Sequence, residues 1–296
     1  MTLSFRYIFA LCLFTLSVAL LTFAQTDKPA GSKTAAADTP TPTPTPAAVD
    51  KKKPEPTPPP VGAAKGAPKV FTAEQIIEST IFFYGYPGGR VTLNQIRKTT
   101  QEKGNLTYTG SDGKAEKASY QRFIIRGDSL GKEKIRLDQD FTSAKYALVF
   151  ADEKVFGIYN NTAFTPREDA SQRFENQIIH GLEALLRYKE NESKLDMGPR
   201  EKVMGVDYYV IEVTDKLQHK TKFYISAKTF RVMMLTYEEG GVKYKRKFYD
   251  YNYAQGTLVP YRTVLWANDK IAEESEIGTI TFGQKVEEEL FKVQAS

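Results

Sequence analysis

From residue 117 to residue 282 the chain is a succession of short apolar or alternating runs, separated by Gly, Asp or Asn. Aromatic and β-branched residues crowd them, a composition that fits strands. The runs cover 117–126, 132–138, 144–150 and 154–159, then 206–214, 220–226, 230–237, 241–251, 258–266 and 270–282. A parallel sheet needs a helix between successive strands, and that alternation is missing. The pattern therefore predicts one large antiparallel sheet with two helices placed against it.

Both helices are marked by their ends. Thr72-Ala-Glu-Gln75 forms a capping box, with Phe71 and Ile76 placed as a hydrophobic staple. Ile76, Ile77, Thr80, Ile81 and Tyr84 then share a face until Gly85 and Pro87-Gly88-Gly89 end the run. For the second helix, Thr165-Pro166-Arg167-Glu168 offers an N-cap, a proline at the first helical position and a capping Glu. Phe174, Ile178, Ile179, Leu182, Leu185 and Leu186 follow at helical spacing. Both stripes read as core-facing. Residues 90–104 fit neither period.

Upstream of the domain, Arg6 precedes an apolar stretch over 7–24, with small residues at Thr22 and Ala24 before polar Gln25. This is the pattern of a secretory signal cleaved after Ala24, which makes the protein periplasmic or secreted. If retained, the stretch of about 18 residues is near the lower limit for a span and would anchor the chain in the inner membrane. Phe9-Ala-Leu-Cys12 sits too early in the apolar run to be a lipobox. Eleven of the 15 prolines lie between Pro29 and Pro68, so residues 25–69 read as a Pro/Thr/Ala-rich disordered linker, semi-rigid where it is polyproline-like. The expected layout is signal 1–24, linker 25–69 and folded domain 70–296.

Charge and composition exclude several functions. The net charge is +5, but Arg6 and the linker lysines supply most of it. A nucleic-acid binder concentrates basic charge in its folded part, so that class is set aside. The single cysteine, Cys12, lies in the signal and leaves no disulfide scaffold and no thiolate metal site. Two histidines leave little for a zinc enzyme or a triad. His180 reads as a helix-edge residue and His219 as a hairpin-loop residue. Asp138 and Asp140 share a strand side without further acids, a weak calcium or acid–base pair. Gly85-Tyr-Pro-Gly-Gly89 lacks the spacing of a phosphate loop. Lys243, Lys245 and Lys247 share one strand face with Arg246 on the other, as on a solvated edge strand or a surface for an acidic partner or lipid head. No cofactor, metal or catalytic residue is expected, and an exported hydrolase ranks last.

Two of the strand runs are apolar on both faces. Val206, Tyr208 and Val210 oppose Tyr209, Ile211 and Val213; Phe230, Val232 and Met234 oppose Met233, Leu235 and Tyr237. A sheet with one wet face alternates cleanly, so these strands are expected to be covered on both sides. Two helices can hardly cover about ten strands, which leaves room for an apolar cavity.

Three segments carry a resemblance. They are Gly205-Val-Asp-Tyr-Tyr-Val-Ile-Glu-Val-Thr214, Phe223-Tyr-Ile-Ser-Ala-Lys-Thr-Phe230, and Phe248-Tyr-Asp-Tyr-Asn-Tyr253 with Gly256-Thr-Leu-Val-Pro260. Over roughly 70–293 the chain resembles the LolA/LolB-like outer-membrane lipoprotein-sorting (lipoprotein carrier) family, with Ser226 where the family often has Asp. The resemblance implies an α+β fold: a curled, incomplete antiparallel β-barrel with two helices as a lid over an apolar hollow. It implies a monomeric, non-enzymatic carrier of a lipid or an acylated lipoprotein. The residues expected to line the hollow are Ile77, Ile81, Tyr84, Ile178, Leu182, Phe230, Val232 and Met234. The alternative on the same fold is an envelope-associated protein-interaction or stress-sensing module, with a membrane surface or envelope protein as partner.

Overall fold

A computed structural model of the chain describes residues 71–110 and 112–292. The expectations for the signal, its retention as an anchor, and the linker lie outside the described residues. The first element is α1 (Ala73–Tyr84), and its capping box forms: Thr72 Oγ1 accepts from the Gln75 amide at 3.2 Å, and Gln75 Oε1 accepts from the Thr72 amide at 3.0 Å. The segment that fits neither period holds α2 (Arg90–Ile96) and the start of β1 (Thr99–Thr109).

Strands then follow in two meanders. The first is β1, β2 (Ala115–Ile125), β3 (Lys134–Phe141), β4 (Lys145–Ala151), β5 (Lys154–Tyr159) and β6 (Thr162–Phe164). Helices α3 (Glu168–Ile179) and α4 (Leu182–Leu186) intervene. The second meander is β7 (Lys194–Met197), β8 (Glu201–Val203), β9 (Val206–Thr214), β10 (Lys220–Ser226), β11 (Val232–Glu239), β12 (Val242–Ala254), β13 (Thr257–Ala267) and β14 (Lys270–Phe282). β14 returns to pair with β1, fusing the meanders into one 14-stranded antiparallel sheet that runs from β6 at one edge to β7 at the other. The two edges do not pair, and the chain between them carries α3 and α4.

Local sequence explains much of this path. Six hairpins turn on two residues that both have positive φ: Asp152–Glu153, Asn160–Asn161, Met204–Gly205, Gly240–Gly241, Gln255–Gly256 and Asn268–Asp269. That geometry matches the right-handed twist of the strands it joins. Inside the curl, α1 and α4 bury Ile76, Ile77, Ile81, Tyr84 and Leu185 against Ile211, Phe223, Ile225, Val232 and Leu235. α3 buries Phe174 and Ile178 against Leu106, Leu137 and Leu148. β4 is covered on both faces, because Ala147 and Val149 pack outward against Val286 and Phe291 of the C-terminal segment.

The structure corrects three details. The second helix begins at Glu168, with Arg167 rather than Thr165 as its N-cap and no side-chain capping bond. Pro166 disfavours the helical region for Thr165, and Arg167 is itself still extended at φ −58°, ψ 145°. The single stripe is also two helices, broken at His180–Gly181, where Gly181 is extended at φ −80°, ψ 175°. Third, β11 carries a bulge. Met234 pairs with Tyr224 and Val232 with Ile225, so Met233 is the extra residue. A bulge shifts the alternation by one. Val232 and Leu235 therefore both face the core, Met234 turns to the other side with Tyr224, and Phe230 lies in the preceding turn at φ 53°.

Candidate functional site

Beneath α3 and α4 lies a hollow of about 210 Å³. Ile178 and Leu182 form its roof, and Ile124, Phe248, Val259 and Phe282 of the sheet contribute apolar wall. At Phe174 and Gln177 it meets a wider groove of about 520 Å³. Tyr108, Phe141 and Tyr146 line that groove as a stacked series, with ring centroids 6.1 and 5.7 Å apart.

The hollow is not purely apolar. Near α4, Glu183 accepts from Arg97 at 2.8 Å and from Arg126 at 2.7 Å. Arg126 also reaches Glu133 at 3.4 Å, and Arg187 donates to the same Glu133 oxygen. Burial pushes the Glu183 carboxyl up, but the Arg126 and Arg97 guanidiniums outweigh it and hold it at about 2. At Glu133 burial prevails over Arg126 and Arg187, and the carboxyl is pushed up to about 7.

A second polar track crosses the floor. Tyr120 donates to Glu102 at 2.6 Å, and Arg122 donates to Glu102 at 3.3 Å and to Gln177 Oε1 at 3.1 Å. Gln177 Nε2 donates in turn to Glu273 at 2.8 Å, and Arg246 lies 3.6 Å from the other Glu273 oxygen. The Nε atoms of Arg97 and Arg246 are buried without a hydrogen-bond partner. Such orphaned buried donors are uncommon and call for a cause.

Of the residues expected to line the hollow, Ile178 and Leu182 do so. Ile77, Ile81, Tyr84 and Val232 are fully buried in the packed core under α1, with Phe230 packed against them. Tyr84 also bonds to the Tyr251 hydroxyl at 2.8 Å. Met234 is on the far side of the bulge. The charged residues of the floor were the part that apolar patterning missed. One signal was present: Arg246 opposes the three lysines. Lys245 and Lys247 lie outside over Trp266, at 5.7 and 5.4 Å, while Arg246 points inward.

The remaining candidates resolve into structural contacts. His180 is not at a helix edge but 2% exposed, stacked on Tyr237 at 3.9 Å with Nδ1 2.7 Å from the Thr221 hydroxyl. His219 Nδ1 is 2.7 Å from Asp215 in its own hairpin. Asp138 is held by Arg136 at 2.8 Å, and Asp140 lies 3.3 Å from Lys145. No group of three or more metal-capable side chains gathers among the described residues. None of their helices is long and apolar enough to cross a membrane.

No protein-family model matches the chain, and no curated protein does either. Solved structures do. A LolA superfamily protein from Nitrosomonas europaea aligns at 14% identity with a TM-score of 0.54, covering 75% of this chain and 98% of that one. A DUF1329 family protein from Desulfovibrio piger aligns at 16% identity with a TM-score of 0.49, covering 69% and 96%. Identities this low speak for architecture. The open antiparallel sheet, its unpaired edges and the helices set between them make this a LolA-like fold.

Proposed function

We propose that the protein is an exported, non-enzymatic carrier or binding protein that holds an acyl chain, of a lipid or of a lipoprotein, in the hollow beneath α3 and α4. The observation that carries this reading is that the hollow and the aromatic groove adjoin, both lined by Phe174 and Gln177, with apolar side chains along each. Burial in the hollow would keep the chain out of water once it has left a membrane, at about 25 cal/mol per Å² of apolar surface. As it stands, 210 Å³ is roughly seven waters' share of liquid volume. A full acyl chain therefore requires the groove as well, or a lift of α3. Export with cleavage after Ala24 belongs to the same proposal, and N-terminal sequencing of the exported protein should begin at Gln25.

Leu182 is the residue to alter, because it lines the hollow and is only partly buried. Leu182→Gln should fold with a melting temperature within a few degrees of wild type, yet take up a fluorescent acyl probe at least about tenfold more weakly. Undiminished uptake by the folded variant would move the ligand elsewhere.

A further inference from the structure

We infer that the hollow selects an anionic amphiphile, seated head-first with its carboxylate or phosphate on Arg246. The inference rests on the carrier reading and adds the class of ligand. Its starting point is the chemistry of the Arg246 side chain, which is 11% exposed. A buried guanidinium is ordinarily held by well-aligned charge-assisted hydrogen bonds. Arg246 instead has its Nε unpartnered and its nearest carboxylate oxygen at 3.6 Å, beyond hydrogen-bond distance.

Charge supplies the second argument. Lining the hollow, four arginines (97, 122, 126 and 246) face four glutamates (102, 133, 183 and 273). Each glutamate is engaged: Glu183 and Glu133 by Arg97, Arg126 and Arg187, Glu102 by Arg122, and Glu273 by Gln177. Of the four arginines Arg246 alone has no hydrogen-bonded carboxylate, its charge being met only by the loose pair with Glu273 at 3.6 Å. Water could satisfy its Nε donor, but a neutral acceptor makes the weaker bond to a guanidinium. An oxyanion makes the stronger, charge-assisted bond, and a guanidinium can bind it bidentately.

Position supplies the third. Arg246 adjoins Glu273, which Gln177 holds, and Gln177 is where the hollow meets the groove. A head at Arg246 would let its chain run past Phe174 to the rings of Tyr108, Phe141 and Tyr146. A neutral head seated in the same place would leave Arg246 with only its loose pair to Glu273 at 3.6 Å.

Calorimetric titration of the delipidated exported protein with dodecanoate, dodecyl phosphate and dodecanol tests this. Dodecanoate or dodecyl phosphate should bind at least about tenfold more tightly than dodecanol near pH 7.5. The tighter of the two identifies the head as carboxylate or phosphate. Arg246→Met should bring the anion and the alcohol to within about twofold of each other. If dodecanol binds as tightly as both anions, or if the preference survives Arg246→Met, the anion site is overturned while the carrier reading stands. If no dodecyl compound binds, the carrier reading falls and takes the anion site with it. Should Arg246→Met not fold, the head-group comparison on the unaltered protein decides alone.

Discussion

His180 caps α3 with its ring flat against Tyr237, at an interplanar angle of 4°. Burial pushes its imidazole pKa down to about 4, with His219 and Arg246 adding to the effect against the pull of Asp215. The native state thus favours the neutral ring, whereas the unfolded chain takes up the proton near pH 6.5. The stability it contributes is complete above 6.5 and is lost as pH falls toward 4, by up to about 1.4 kcal/mol per pH unit. Glu133, raised to about 7, works in the opposite direction, favouring the native state at low pH and losing that contribution as pH rises from 4.5 to 7. A comparison with His180→Phe isolates the histidine: urea unfolding at pH 7 and pH 5 should show a smaller loss on acidification in the variant than in wild type. Equal losses would mean that His180 is not the titrating group. The same scale holds the main misreading. Phe230-Arg-Val-Met-Met-Leu-Thr-Tyr237 is apolar at nearly every position, so the sequence contains no clue that one residue drops out of register. The bulge predicts that Met234→Gln changes stability by about 0.5 kcal/mol or less, whereas Leu235→Ala, at 0% exposure, costs about 2–5 kcal/mol. Similar costs at both positions, by chemical denaturation, would restore simple alternation.

Among the elements, legibility followed the apolar period. Strands with a regular apolar face and a Gly, Asp or Asn turn, such as β9 and β10, lie where the pattern puts them. β1 reads Thr-Thr-Gln-Glu-Lys-Gly-Asn-Leu-Thr-Tyr-Thr, and two of its inward residues, Thr100 and Glu102, are polar groups of the hollow. A strand whose buried face is polar carries no hydrophobic period, so the site itself concealed the element. β6, β7 and β8, at three or four residues, are too short to show any period. Gly104 explains how β1 fits between its neighbours. The register against β14 shifts between Lys103 and Gly104, and a Cβ at 104 would lie 2.0 Å from the Glu276 carbonyl oxygen. Backbone on backbone cannot be relieved by a rotamer change. Gly104→Ala should therefore cost about 1–3 kcal/mol, measured as a drop in the denaturation midpoint. An unchanged midpoint would mean the sheet is not locked at this bend.

For the molecule as a whole, antiparallel order and helix placement could be read from the chain, but closure could not. The contact that fuses the two meanders pairs Thr100 with Phe282 and Tyr108 with Glu273, across more than half the chain and without a turn to fix the register. The fold resemblance carried by the Gly205–Thr214, Phe223–Phe230 and Phe248–Pro260 segments anticipated the curl, and the structure bears it out. It did not anticipate a hollow lined by arginine and glutamate, because an ion-paired interior leaves single charges scattered along otherwise apolar strands. The central claim is that this hollow holds an acyl chain. The most direct measurement is native mass spectrometry of the protein purified without detergent, followed by solvent extraction and lipid analysis. The account predicts an added mass that disappears on extraction and reappears in the organic phase as an acyl compound, with less of it on Leu182→Gln. A protein that flies only at its bare mass, and stays bare after incubation with lipid vesicles, would contradict it.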